Sequence, residues 1–270
     1  MAGLTHMYDI YKRDPRYVES LLKSEIEVEE KLAGSRFYLE VHEGNQKKYF
    51  KGSNASPITQ IDRALSRYYE KAIGHFESFN DEKLANVPDN WRFGFEYFPN
   101  LQPVSIAYAR MPLNNLVLIE IAVKSNNKVS EVISDDKTLN EWADILEVEG
   151  PPIIFKGQLN SEQLRTIQSY LNTPEDELEE HFSTKNFAKF FIETLSPRLD
   201  KSFLQNTLDD EIEALIFKFD GKNPMKVMNP TFEKKKLEVK DAKPSDMYSL
   251  TLVILQEFFL ELDFNTIKLK

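Results

Sequence analysis

In the stretch IEVEEKLAGSRFYLEV (26–41), apolar and polar residues alternate with a period of two on either side of a short turn. That pattern predicts strands near 26–31 and 35–43. A Gly44-Asn45 turn and a strand near 47–51 extend them into a meander. From Pro57 to Phe79 the period changes. Ile58, Ile61, Leu65, Tyr68, Ala72 and Phe76 recur at helical spacing, which predicts one long amphipathic helix crossing over. Strand patterning returns in WRFGFEYF (91–98), VSIAYA (104–109) and LVLIEIAVK (116–124). Helical spacing follows in TLNEWADILEV, SEQLRTIQSYL and PEDELEEHFSTKNFAKFFIETL. Two strands, IEALIFKF (212–219) and MKVM (225–228), and a terminal helix near 245–262 close the chain. Upstream of all these, Asp14-Pro15 reads as an N-cap and first-turn proline opening a short helix that runs to Lys23. Strands, then helices, then strands again predict an α+β fold.

The alternation also gives each strand a side. In WRFGFEYF, Arg92, Gly94 and Glu96 fall on one face and Trp91, Phe93, Phe95 and Tyr97 on the other, a polar cleft face over an apolar core. The 270 residues suffice for one elaborated domain. With 34 basic and 44 acidic residues the net charge is −10, which argues against a generic polyanion binder but leaves room for a local basic cleft. The chain has no cysteine, so disulfides, thiolate chemistry and cysteine-type zinc sites are excluded. The four histidines, His6, His42, His75 and His181, show no metal-ligand spacing. The N-terminus lacks a signal-peptide apolar core. The run LTLVILQEFFLEL falls short of the roughly 20 residues a membrane helix needs. The expectation is a soluble, cytoplasmic protein with no membrane partner; its Asn, Lys, Phe and Tyr usage is compatible with a phage-encoded one. Nothing sets an oligomeric state. The lysine-rich stretch EKKKLEVKDAKP (233–244) reads as a solvated linker between a body at 1–235 and a helical C-terminal extension at 236–270.

Lys31, between Glu30 and Leu32, would taken alone be a solvated lysine. It gains meaning from an ordered series: Lys31-x-x-Gly34-x-Arg36, then Glu96 and Glu120 on later strands, Glu213 and Lys218 in IEALIFKF, and Lys226 in MKVM. This series resembles the covalent nucleotidyltransferase superfamily, which comprises ATP-dependent DNA ligases, RNA ligases and mRNA capping enzymes. The resemblance is closest to the phage-type RNA ligases and spans about 25 to 235. The matching segments are Glu30-Lys31-Leu32-Ala33-Gly34, Phe93-Gly94-Phe95-Glu96, Leu118-Ile119-Glu120-Ile121, Glu213 with Lys218, and Lys226 with Asn229-Pro230-Thr231-Phe232.

The resemblance implies a nucleotidyltransferase (ATP-grasp-like ligase adenylation) domain, with antiparallel sheets flanked by helices and a helical C-terminal tail. It implies an ATP-dependent polynucleotide ligase working through a lysyl-AMP intermediate. Lys31, Lys218 and Lys226 would be catalytic. Glu30, Gly34, Arg36, Lys51, Glu96 and Ile119 would bind the nucleotide, and Glu213 and Glu96 would hold Mg²⁺. The partners are ATP and nucleic-acid ends, a 5′-phosphate and a 3′-hydroxyl, with RNA favoured over DNA. The chemistry asks for these residue types. A lysine amine attacks phosphorus only when neutral, whereas its ordinary pKa is about 10.4, so neighbouring cations and burial must help. The same cations offset charge on the transferring phosphate, and hard cations take carboxylate ligands. Gly34 permits a close backbone approach, and Arg36 offers a planar fork.

Four positions depart from the family pattern: Ala33, Ala214 after the motif glutamate, Met228 in place of a second lysine, and Ile119 where an aromatic ring is frequent. Lys222 and Lys234 stand near enough in sequence to substitute for the lysine that Met228 replaces. Two other readings stay open on sequence alone: a catalytically degenerate nucleotide- or RNA-binding protein of this fold, and a phage structural protein.

Overall fold

The computed structural model describes residues 4–42, 46–65, 67–85, 87–99, 110–126, 128–181 and 212–230, together with positions 187, 190, 191, 194 and 195. The Gly44-Asn45 turn, the strand expected at 104–109, the 233–244 linker and the terminal helix lie outside these residues.

Two sheets carry the fold. The first orders five strands as β1 (Thr5–His6), β11 (Met225–Met228), β10 (Ala214–Phe219), β2 (Glu25–Lys31) and β9 (Ile153–Gln158). All of its pairings are antiparallel except β1 with β11. The second orders six as β5 (Ser56–Pro57), β4 (Gln46–Lys51), β3 (Ser35–His42), β6 (Trp91–Tyr97), β7 (Leu116–Ser125) and β8 (Lys128–Ile133), all antiparallel. The sheets are continuous in sequence at the turn between β2 and β3, where Lys31 ends one sheet and Ser35 begins the other.

Each sheet buries one face under helices. On the first, Ile26, Val28, Leu215, Phe217 and Val227 pack with α1 (Met7–Arg13), α2 (Pro15–Leu22), α6 (Ser161–Asn172) and α7 (Glu175–His181) through Met7, Leu22, Ile167 and Leu178. On the second, Phe37, Leu39, Phe93 and Phe95 pack with α4 (Glu70–Glu77) and α5 (Asp136–Leu146) through Ile73, Phe76, Leu139 and Leu146. Phe37 is the hub. The rings of Tyr49, Tyr69, Phe76, Phe95 and Tyr97 lie 5.8–6.3 Å from its own, within the favourable range for aromatic pairs.

The caps read from sequence are present. The Asp14 side chain accepts a hydrogen bond from the Tyr17 N–H at 3.0 Å, and Pro15 takes the first position of α2. The long crossover helix is not. The segment forms α3 (Gln60–Leu65) and then, after a break at Tyr69, α4. The helical periodicity ran through Ile61 and Tyr68, yet these are 71% and 42% exposed, and it is Tyr69 that stacks on Phe37. The break re-phases the apolar face, and Arg63 clamps the two pieces, its Nε 3.0 Å from Glu70 and its Nη1 2.7 Å from Glu77. Five further strands and helices, β1, α1, β5, β8 and β9, were not anticipated.

Candidate active site

The faces turned away from the two cores enclose a cavity of about 520 Å³. It takes Glu29, Lys31, Ile216 and Lys218 from the first sheet and Arg36, Glu96, Ile119 and Val132 from the second. Alternation explains the selection. In β2, Ile26 and Val28 point into the core, which leaves Glu27, Glu29 and Lys31 on the opposite face. Register sets Lys31 against Ala214, Glu29 against Ile216 and Glu27 against Lys218.

Lys31 ends β2 with its ammonium 2.7 Å from Glu213 Oε2; the lysine side chain is 25% exposed and the glutamate 5%. Glu213 immediately precedes β10 and is braced from behind. The Asn229 N–H donates to the Glu213 carbonyl at 3.0 Å, and Asn229 Nδ2 donates to the Ile212 carbonyl at 3.0 Å. Past Lys31 the chain turns so that the Gly34 N–H donates to Glu96 Oε1 at 2.8 Å. A Cβ at position 34 would sit 2.8 Å from both Glu96 Cγ and the Tyr97 carbonyl oxygen, closer than any real Cβ contact, so only glycine fits. Arg36 Nε lies 3.5 Å from Glu96 Oε2. Burial pushes the Glu96 carboxyl above its usual range. Arg36, Lys31 and the Gly34 N–H oppose that shift, and Glu213 reinforces it. Lys31, Arg36, Glu96 and Glu213 thus form one electrostatic cluster at the turn between the sheets.

Lys218 lines the same cavity at its other end. It lies against Glu27 in register, four residues from Lys31, about 13 Å along the strand. Its ammonium donates to Glu29 and, at 2.7 Å, to the Ser134 carbonyl. Glu29 is 5% exposed, and burial holds its carboxyl above the usual range against the pull of Lys218. Lys226 shares the face of Ile216, its register partner across β10, but is not among the residues lining the cavity. Glu30 lines it, with its N–H donating to the Pro152 carbonyl at 3.1 Å, and Ile119 forms part of an aliphatic wall. Lys51 lies elsewhere. Its ammonium is 2.5 Å from Asp62 Oδ1, and it lines a separate cavity of about 100 Å³. That carboxylate is fixed by the Thr59 N–H and hydroxyl, so the lysine is drawn to the start of α3.

The positions that depart from the family pattern have clear surroundings. Ala214 is fully buried between Lys31 and Met228 in register. Met228 is 5% exposed, and its carbonyl accepts the Tyr170 hydroxyl at 3.0 Å. Lys222, in the β10–β11 connection, does line the cavity. Glu120 packs over Gly94, where a Cβ would lie 2.6 Å from Glu120 Cγ. The residues not foreseen are Glu29 and Ser134. The alternation of EVEEK placed Glu29 on the face of Lys31, but its partner is 189 residues away.

Among the described residues there is no group of three or more carboxylates or histidines arranged to hold a metal on its own. Glu96 and Glu213 are the carboxylates beside Lys31. Such a pair suits a Mg²⁺ that keeps waters and arrives with substrate phosphates, rather than a resident ion in an all-protein cage. No helix among the described residues is long and apolar enough to cross a membrane.

The fold is similar to that of solved RNA ligases. An RNA ligase from Naegleria gruberi, solved with pyrophosphate, superposes with a TM-score of 0.51 at 14% identity, covering 88% of this chain and 58% of that one. An archaeal ATP-dependent RNA ligase aligns over 99% of this chain and 58% of its own, at 10% identity and a TM-score of 0.49. The chain therefore spans less than two thirds of these proteins. No family model and no curated protein sequence matches it.

Proposed function

We propose that the protein is an ATP-dependent polynucleotide ligase of the RNA-ligase type, in which Lys31 carries the adenylyl group. The observation that carries this reading is the position of Lys31. A lysine on the strand bordering a cavity of nucleotide size meets a braced carboxylate at 2.7 Å, with Arg36 and a glycine-anchored Glu96 beside it. Volumes of 300–1,000 Å³ are usual for small-molecule sites. The naegleriid ligase was solved with pyrophosphate, which is the leaving group such a reaction releases.

In this reading adenine lies along the Ile119 and Ile216 walls, and the phosphates reach the turn between the sheets. Glu213 Oε2 is within proton-transfer reach of Lys31 Nζ. As the proton leaves, the amine pair forms the P–N bond to the α-phosphorus, and the bond to the bridging oxygen breaks to release pyrophosphate. Arg36 offsets charge on the phosphate. Glu96, with Glu213, would hold a Mg²⁺, which would supply Lewis-acid polarisation there. AMP then passes to a nucleic-acid 5′-phosphate, and attack by a 3′-hydroxyl seals the strand with loss of AMP. Lys218 and Lys226 lie on the same sheet face and set the field across it. Incubating the protein with ATP, Mg²⁺ and 5′-phosphorylated RNA or DNA tests the reading: sealed RNA, absent with Lys31→Ala, is expected. Equal sealing by that variant would contradict it.

One observation favours a second reading. Met228 is buried with its carbonyl engaged, so a lysine of the family pattern is missing from the site. A nucleotide-binding protein without the chemistry would show an ATP-dependent rise in melting temperature and no covalent adduct.

A further inference from the structure

The polar face of the second sheet continues beyond the cavity. From the Arg36–Glu96 pair, register steps to Tyr38 opposite Gly94 and then to Glu40 opposite Arg92, about 13 Å from the first pair. There Glu40, 2% exposed, accepts Arg92 Nε at 2.6 Å and Lys124 Nζ at 2.8 Å, and His42 Nε2 lies 3.3 Å away. Burial pushes the Glu40 carboxyl up, but the hydrogen bonds from Lys124 and Arg92 outweigh it and hold it below the usual range. Arg92 is laid across β3, its guanidinium carbon 5.9 Å from the Tyr38 ring centre and 4.8 Å from that of Phe50. Among the described residues Glu40 engages only Nε, which leaves the two Nη groups as a fork held in place by one carboxylate and two rings. A guanidinium so fixed is preorganised for a bidentate phosphate contact. A stacked arginine beside aromatic rings is also how single strands are gripped.

We propose that Arg92, with Lys124 and Phe50, forms a site for a backbone phosphate of the single-stranded RNA whose end is presented to Lys31. The proposal deepens the ligase reading and rests on it for the direction in which the strand runs.

The test uses the full chain. Anisotropy of a short, labelled, 5′-phosphorylated oligouridylate reports binding across a salt series. Transfer of label from ATP to protein, without RNA, reports self-adenylylation. For Arg92→Ala, binding about tenfold weaker is expected, with the slope of log affinity against log salt reduced by about 0.7 and self-adenylylation kept. Arg92→Lys is expected to restore the slope but only part of the affinity, which a merely structural role would not produce. Lys124→Ala is the independent variant should Arg92→Ala fail to fold, and it too is expected to lower the slope. Wild-type binding and slope in both alanine variants overturns the site. So does a wild type that does not bind the oligonucleotide, competition by inorganic pyrophosphate as effective as by RNA, or loss of self-adenylylation in step with binding. Arg92-dependent binding by a wild type that takes no label from ATP supports the strand site and removes the ligase reading instead.

Discussion

Replacing Lys218 by methionine isolates one buried charge. Lys218 and Glu29 are an ion pair with side chains 13% and 7% exposed, and the ammonium also serves the Ser134 carbonyl. Removing the lysine leaves the largely buried Glu29 carboxylate without its ion-pair partner. Breaking such a pair from one side costs about 3–5 kcal/mol, which for a chain of this size lowers the melting temperature by roughly 10 °C. The loss depends on pH with a definite sign. Burial already holds the folded pKa of Glu29 above its ordinary 4.5, and Lys218 is the chief opposing influence. Without Lys218 that pKa rises further. A carboxyl raised in the folded state stabilises below its unfolded pKa and loses that contribution as pH climbs through the folded value. The gap between Lys218→Met and wild type is therefore smallest near the ordinary 4.5 and widens as pH rises above it. Adding Glu29→Gln removes the stranded charge, so the double variant recovers part of the loss and flattens the pH dependence. Differential scanning fluorimetry across this range reads all three proteins. A Lys218→Met variant that melts within a degree or two of wild type at every pH, or loses most at acid pH, refutes the argument.

Three other outcomes follow from the same geometry. Gly34→Ala forces Glu96 and the Tyr97 carbonyl apart, costing about 1–3 kcal/mol and lowering adenylylation more than ATP affinity, as parallel calorimetry and label transfer would show. Asn229→Ala leaves the buried Ile212 carbonyl without its side-chain donor, a loss of about 1–3 kcal/mol in denaturant unfolding with loosened placement of Glu213. Phe37→Ala empties the hub of the second core and costs about 3–5 kcal/mol, read as a drop in the urea midpoint.

The sequence was informative wherever a pattern was local. Asp14-Pro15, the strand expected near 35–43 and the sidedness of WRFGFEYF rest on neighbours two to four residues apart; Asp14 caps α2, β3 covers Ser35–His42, and Phe93, Phe95 and Tyr97 face the core. What escaped depends on distant partners. KVSEVI forms β8 almost wholly exposed, so it has no buried face to create an alternation. IIFKGQ forms β9 behind two prolines, where a short apolar run has no period to measure. Tyr68 and Tyr69 are chemically equal candidates for a helix face, and only the position of Phe37 selects the second. At the site, the order Lys31, Gly34, Arg36, Glu96, Glu213 was read from its resemblance to a known series, and the fold brings these residues together at one turn. That Lys218 would be held by Glu29 was not, since nothing in either segment names the other. Lys51 shows the converse: a lysine suitably placed in sequence is claimed by Asp62, itself fixed by Thr59.

The account stands on Lys31 becoming covalently attached to AMP. Intact-mass measurement of the full chain after incubation with ATP and Mg²⁺, followed by peptide mapping, addresses that directly. The expected result is a gain of one adenylyl group, labile to acid, located on Lys31 and absent from Lys31→Ala. An unchanged mass for a protein that binds ATP, or an adduct on another residue, contradicts it.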